Sequence, residues 1–418
     1  MLVEMSISNF RSFKDRQTFS LVKNKSSELP TNAFAVSGMR NFHLLHAAAI
    51  YGPNAGGKSN LLRSLYVMKQ IVTTSSQRNN TLPITPFRLD NEKRTQPSEF
   101  EVVVVVDGIR YQYGFSASED KIFAEWLYAF PKGRAQKWFE RIRNPHTGRD
   151  DWQFSTQLLG SKQVWKDATR DNALFLSTAV QLNSTQLKPL FDWFDKTIRF
   201  ADSRWFRPGY SASLCSKEKK ESVLKFLQAA DLNIHDIQIR TEEPQSMVLL
   251  DDMPEALREL LLKRMEGKRF ISIHTVHTNN DGADVVFDLT DESDGTQKLF
   301  ALAGPWMDVL VNGNILLIDE LHDNLHPHLV RFLVSLFHNE KINQKNAQLI
   351  FTTHDTSMLD QHIMRRDQIW FCERNKEQAT QLYPLTDFSP KKGKENLETA
   401  YLSGRYGALP FLQPVYLE

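Results

Sequence analysis

The first residues alternate between apolar and polar: "LVEMSISNF" reads as an opening strand. "LLHAAAIYG" is mostly apolar and predicts a buried strand that runs into "GPNAGGKSN". "LLRSLYVMKQIV" follows with apolar residues at helical spacing. "SEFEVVVVVDGIRYQYGFSAS" predicts a hairpin turning at Asp107-Gly108, with "KIFAEWLYAF" and "KWFERIR" as further strands of one antiparallel sheet. "NALFLSTAV" reads as another strand, ending near Gln181. From about Asn183 to Lys268 the pattern turns helical, most clearly in "ESVLKFLQAADL" and "MPEALRELLLKRMEG", without the sustained heptads of a long coiled coil. "FISIHTVH" and "ADVVFDLTDES" return to strands, and "QKLFALAGPWMDVL" is a helix. "NGNILLIDE" and "NAQLIFTTH" are buried strands on either side of the helix "PHLVRFLVSLFHN". "QIWFCERN" and "TQLYPL" form a closing hairpin, before a tail that is basic and then turn-rich.

Composition narrows the class without naming it. A chain of 418 residues suggests two or three domains or one large one, and 41% hydrophobic with 24% charged residues is ordinary for a globular protein. The formal net charge of +1 announces no nucleic-acid binding in bulk, which leaves only a local patch open. Two distant cysteines, Cys215 and Cys372, exclude a disulfide scaffold or a cysteine-ligated zinc site and fit a reducing cytoplasm. No apolar run approaches the roughly 20 residues of a membrane span, and the N-terminus lacks the build of a signal peptide, so neither is expected.

The chemistry concentrates in a few stretches. "GPNAGGKS" fits G-x4-G-K-S, with Gly52, Gly57, Lys58 and Ser59 at the fixed positions. Such a loop wraps a polyphosphate with backbone N–H groups, and glycines permit that curvature. Lys58 would reach the β- and γ-phosphates and Ser59 would ligate Mg²⁺. Asn54, Gly56 and Asn60 complete the nucleotide-contacting segment. "NILLIDE" ends in Asp319, a second Mg²⁺ partner, and Glu320, a general base for the attacking water. "LIFTTH" ends in His354, which reads either as a γ-phosphate or water contact or as a satisfied polar residue at a strand end. "DESDGTQKLF" reads in two ways as well. It is an acidic turn with a helix N-cap, or a serine and glycine (Ser293, Gly295) aimed at the nucleotide of a second protomer. His322, His326 and His328 would need convergent geometry to bind metal.

The stretches "ISNFRSF", "YGPNAGGKSNLL", "PITPFRLD", "DESDGTQKLF", "ILLIDELHDNLHPHLV", "FTTHD" and "SGRYGALP" together make the chain resemble the ABC-type ATPase heads of the SMC, RecF and OLD group. More closely it resembles the RloA/AbiL-type ATPases of bacterial abortive-infection and phage-defence operons. The resemblance implies an α/β fold of P-loop ABC-ATPase type, a mixed sheet with an antiparallel β-subdomain. It implies a first lobe over residues 1–183, a helical insertion over 184–268 and a second lobe over 269–418. Glu320 and His354 become the catalytic base and the switch histidine, Ser293 and Gly295 the trans-acting signature pair, and Gln181 the Q-loop glutamine. Arg11 falls near the phosphates. ATP and Mg²⁺ are the implied ligands, and a homodimer or higher homo-oligomer the implied assembly. Control of a toxic effector in trans, a nuclease, is the implied role. Nucleic acid remains open as a partner, and a membrane is not expected. The signature departs from the transporter-like Ser-Gly-Gly-Gln, and His322 stands where relatives often carry an acidic residue. The rival readings are a DNA-binding ATPase of the RecF kind, a scaffold in which ATP only joins the subunits, and a transporter motor.

Overall fold

The computed structural model describes residues 1–77, 81–131, 133–201, 208–216, 219–242 and 270–411. Its strands in chain order begin with β1 (Leu2–Ser8), β2 (Gln17–Ser20), β3 (Ala33–Ala35), β4 (His43–Leu45), β5 (Ala47–Tyr51) and β6 (Ser98–Val106). Next come β7 (Ile109–Ala117), β8 (Ile122–Phe130), β9 (Gln136–Arg143), β10 (Asp150–Phe154), β11 (Ile198–Ala201) and β12 (Asp236–Glu242). The last six are β13 (Phe270–Thr278), β14 (Asp284–Asp288), β15 (Ile315–Ile318), β16 (Gln348–Thr352), β17 (Ile369–Arg374) and β18 (Thr380–Pro384).

Two compact units divide the chain. The first, made of residues 1–203, 309–323 and 330–418, holds two large sheets. One is antiparallel, in the order β10-β9-β8-β7-β6-β1-β2, with β6 and β7 meeting at Asp107-Gly108, both at positive φ as a tight hairpin requires. The other has the order β11-β15-β16-β5-β17-β18; its first five strands are parallel and β18 returns antiparallel to β17. This is an α/β fold with a mixed sheet. β5, β15 and β16 are buried along their whole length, as strands covered on both faces must be.

The helix Lys58–Thr74 carries Leu61, Leu62, Leu65, Met68, Ile71 and Val72 into the core shared by the two sheets. Phe100, Tyr113 and Phe115 meet it from the antiparallel sheet, and Ile50, Leu317 and Ile350 from the parallel one. Burying each such side chain contributes about 1.5–3 kcal/mol. The same packing fixes the helix's first turn.

Two readings of the pattern are corrected. "NALFLSTAV" is not a strand: Phe175–Gln181 is a helix. A short apolar run cannot be assigned by periodicity alone, and here a distant carboxylate decides. Glu125, fully buried on β8, accepts the N–H groups of Phe175 at 2.6 Å and Leu176 at 3.0 Å, and so caps the helix start. The stretch whose pattern turns helical, from about Asn183 to Lys268, also contains two strands. β11 pairs in parallel with β15 at the edge of the central sheet, and β12 pairs with β13. Residues 220–229 form a helix there as expected. The expected helix "MPEALRELLLKRMEG" lies outside the described residues.

The second unit comprises residues 204–308 and 324–329. It contains the antiparallel sheet β12-β13-β14 and most of the helix Asp294–Asn312. Pro305 lies inside that helix, so the carbonyl of Ala301 has no N–H four residues on. The Ser211 hydroxyl donates to that carbonyl at 3.3 Å and accepts the N–H of Gly304 at 2.9 Å. Among the described residues no helix is long and apolar enough to cross a membrane.

Candidate nucleotide site

Three adjacent parallel strands, β15-β16-β5, end on the same side of the sheet, and each end carries chemistry. β5 runs into Gly52 and the loop to Lys58, β15 into Asp319-Glu320, and β16 through Thr353 to His354. Ligands of open α/β sheets bind at such carboxyl ends.

The loop is walled by the β17–β18 hairpin. A Cβ on Gly52 (φ 146°) would stand 2.0 Å from the carbonyl oxygen of Cys372, and one on Gly57 (φ 111°) 2.2 Å from Thr380 Oγ1. Only glycine fits either position. Thr380 Oγ1 lies 2.8 Å from Ser12 Oγ and 2.9 Å from the Gly56 carbonyl, and Asn60 Nδ2 donates to Ser12 Oγ at 2.9 Å. The loop is therefore fastened to both the N-terminal segment and the C-terminal hairpin. Asn54 and Ala55 stand exposed at its crown, with Ala55 left-handed at φ 64°. No side chain caps the helix that starts at Lys58, and its first turn carries no acidic residue. The N–H groups of that turn and the helix dipole make an anion cradle.

Lys58 is 4% exposed. Its ammonium donates to the carbonyls of Gly52 at 2.9 Å and Pro53 at 3.2 Å, sits 3.0 Å from His354 Nε2 and reaches Glu320 Oε1 at 3.9 Å. Burial lowers its pKa, with the Glu320 carboxylate acting against that shift. A buried cation held by neutral carbonyls and one carboxylate suits a polyphosphate.

Glu320 has a left-handed backbone, φ 53°, a strained conformation for glutamate that the surroundings hold in place. Its N–H donates to Thr352 Oγ1 at 2.8 Å, and the Thr352 hydroxyl donates to Asp319 Oδ1 at 2.7 Å. One fully buried threonine thus aims both acids. His354 Nε2 lies 3.5 Å from Glu320 Oε1. His322 Nδ1 lies 3.6 Å from Glu320 Oε2 and accepts the backbone N–H of His354 at 3.4 Å. Burial alone would raise the Glu320 pKa; the His354 hydrogen bond and the charges of Lys58, His354 and His322 outweigh it and hold the carboxyl below its ordinary value. An ionised carboxylate beside two imidazoles can accept a proton from water.

The structure thus brings together Gly52, Lys58, Asp319, Glu320 and His354, with Ser59 exposed in the helix's first turn. It does not bring in Gln181, which ends its helix exposed and, among the described residues, makes no hydrogen bond to this group. Ser293 lies in the second unit. Its hydroxyl accepts the N–H of Thr296 at 3.2 Å, so the N-cap reading holds, and Gly295 occupies the helix's first turn. His326 and His328 stack on each other with ring centroids 5.2 Å apart. Among the described residues no three His, Cys, Asp or Glu gather as metal ligands would.

Sequence reasoning missed Thr352, Thr380 and Ser12, and met His322 as a departure from a pattern and as one of three histidines weighed for metal, not as a neighbour of Glu320. Thr352 stands in the quoted "LIFTTH", two residues before His354. A hydroxyl at the end of a strand beside the acidic one was the available signal.

The sequence profile of a family described as "AAA domain, putative AbiEii toxin, Type IV TA system" matches residues 47–360. The chain belongs to this family. The matched span runs from β5 through β16 and so contains every member of the group above. AAA domains of this kind are nucleotide-binding, ATPase-type domains. Among solved structures the chain is similar to an SMC head domain from Thermotoga maritima, with TM-score 0.40 and 15% identity over 92% of this chain and 98% of that one. It is also similar to an SMC head bound to the C-winged helix domain of ScpA, with TM-score 0.41 and 13% identity over 91% of this chain and 96% of that one. No curated protein matches the sequence.

Proposed function

We propose that the chain binds and hydrolyses ATP with Mg²⁺ and acts as the control subunit of an anti-phage abortive-infection system. The carrying observation is the convergence of Lys58, Glu320 and His354 within 3.0–3.9 Å of one another at three strand ends. In this reading the Gly52–Lys58 backbone and the Lys58 ammonium hold the phosphates. The Ser59 hydroxyl and the Asp319 carboxylate, both hard oxygen donors, would hold Mg²⁺. The ion supplies charge neutralisation at the phosphates. Glu320 takes a proton from the attacking water, and His354 supports that carboxylate from the adjacent strand end. Thr352 fixes the angle of both acids.

The defence role is supported by the family description, which names an AbiEii toxin and a Type IV TA system. The resemblance to RloA/AbiL-type ATPases points the same way and supplies the effector, a nuclease provided in trans in the cytoplasm. A homodimer is supported by the Ser293–Gly295 helix start, which has the build of a trans-acting signature. The first lobe (1–183) would offer Lys58 and the second (269–418) Ser293 to opposite faces of a shared nucleotide, with 184–268 as the insertion between them. Closure on the γ-phosphate and opening after hydrolysis make this a two-state element that an effector can read.

A second reading, nucleic-acid binding by the chain itself, is favoured by one observation. Arg11, at φ 53° in the "NFRSF" turn, has a buried Nε without a hydrogen-bond partner. Its pKa is lowered by burial first and then by the neighbouring charges of Arg63 and Arg88. Three arginines this close attract phosphate.

The test mixes two inactive variants. Lys58→Ala and Ser293→Arg each lose ATP turnover, and mixing them restores about a quarter of it through one intact composite site if exchange is random. Mixtures as inactive as either parent sink the dimer model. Binding of an oligonucleotide that weakens steeply with salt and is lost in Arg63→Glu selects the second reading.

A further inference from the structure

We propose a second binding site, for a nucleoside phosphate, on the first unit where the tips of three hairpins meet. It shares no residue with the phosphate loop. The β3–β4 and β6–β7 connections, with Phe130, Pro131 and Gly133, border an open cavity of about 440 Å³, within the size range of small-molecule sites.

Its floor is apolar and anchored. Met39 and Phe42 line the cavity and pack from above on the buried cluster of Val3, Phe34, Val36, Leu44 and Val105. Its polar groups are cationic. Arg40 and Arg110 line it, and the Arg110 guanidinium lies 4.2 Å over the Phe130 ring. The ring face attracts that guanidinium and limits where its donors reach. Among the described residues neither arginine has a carboxylate within ion-pair distance, and the nearby Asp107 carboxylate acts on the Met1 ammonium. The frame is braced by backbone hydrogen bonds from Val36 N to the Phe42 carbonyl at 2.9 Å, from Met39 N to Val36 at 3.1 Å and from Gly133 N to Phe130 at 3.3 Å. Gly38, Gly108 and Gly133 stand at the rim with no atom within 4 Å of where a Cβ would be, so the mouth is open.

Two guanidiniums above an apolar floor select for an anion that carries a flat apolar body. Inorganic phosphate would leave the Met39–Phe42 floor and the stacked pair uncovered. A nucleoside phosphate places its phosphate on the guanidiniums and its base against the Arg110–Phe130 pair or the floor.

The experiment uses the full chain carrying Lys58→Ala, which silences the phosphate loop, and titrates it calorimetrically with AMP, GMP, CMP and UMP. At least one binds saturably with a stoichiometry of one per chain. Arg40→Ala and Arg110→Ala each weaken it by roughly tenfold or more, equivalent to one lost charge-assisted contact. Arg110→Lys, which keeps charge without the planar stack, also weakens it. In a chain with intact Lys58, Arg40→Ala leaves ATP turnover unchanged, so failure here is separable from failure at the phosphate loop. The proposal falls if no monophosphate saturates below about 1 mM, where affinity is only about 4 kcal/mol. It falls equally if inorganic phosphate competes as well as the nucleotides, if binding survives both arginine substitutions in folded protein, or if only an oligonucleotide binds.

Discussion

Thr352→Val tests the geometry of the acids without touching either of them. The substitution keeps shape and removes the hydroxyl that accepts the Glu320 N–H at 2.8 Å and donates to Asp319 Oδ1 at 2.7 Å. Position 352 is fully buried, so water does not readily replace the lost partner. Leaving a buried donor unmade costs about 1–3 kcal/mol, and a hydrogen bond to a carboxylate contributes about 1.5–3 kcal/mol. Global stability should therefore fall by about 2–4 kcal/mol, because part of each loss relaxes away. The catalytic effect comes from Glu320, whose left-handed backbone no longer has its anchor. If about 2 kcal/mol of that loss falls on the transition state alone, kcat drops roughly thirtyfold. ATP affinity should change little, because the loop is fastened from the other side, by Thr380 and Ser12. Steady-state phosphate release gives kcat, and fluorescent-nucleotide titration gives affinity. Thr352→Ser keeps the hydroxyl and should recover most of the rate. A folded Thr352→Val protein that turns over within twofold of wild type would refute the idea that this threonine aims the base.

Three further outcomes follow from other parts of the molecule. Gly52→Ala places a methyl group 2.0 Å from the Cys372 carbonyl at a φ of 146°, so ATP should no longer raise the melting temperature of that variant. Ser211→Ala leaves the Ala301 carbonyl without its side-chain donor beside Pro305 and should cost about 1–2 kcal/mol in denaturant unfolding. Burial pushes His46 down to about 4 and His338 down to about 3, so both stay neutral when folded while the unfolded chain binds protons below about 6.5. The unfolded state then holds more protons, and stability falls as pH drops from about 6.5 towards those folded values. The fall is about 2 kcal/mol per histidine by pH 5. Melts of wild type and His46→Gln at pH 7.5 and 5 measure the slope, which the substitution should flatten.

What could be read from the chain was what lies contiguous in it. The phosphate loop, the "LLIDE" strand and the Asp107-Gly108 hairpin each carry their own turn chemistry or periodicity within a dozen residues. Phe175–Gln181 failed because its helical state depends on Glu125, about fifty residues earlier. That carboxylate supplies acceptors to N–H groups that a strand would have paired in a ladder. β11 failed because four residues give no period to read, and only pairing with β15 makes them a strand. The site shows the same division. Lys58, Asp319, Glu320 and His354 follow from motifs, whereas Thr352 acts across neighbouring strands, on an acid 33 residues earlier, and Ser12 and Thr380 meet across 368 residues. His322 was visible as an oddity; its contact with the His354 N–H came from the parallel pairing of β15 with β16.

The walling of the phosphate loop sets an order of events during synthesis. β5 leaves the ribosome early, yet both its sheet neighbours, β16 and β17, and the Thr380 that closes the cradle come some three hundred residues later. At about 5–20 residues per second that is a delay of roughly 15–60 s. Throughout it the nascent chain carries the motif without the site. Ribosomes stalled before β17 would release fragments that lack one wall of the cradle. Nucleotide binding is therefore possible only once β17 and β18 have been made and have folded against β5.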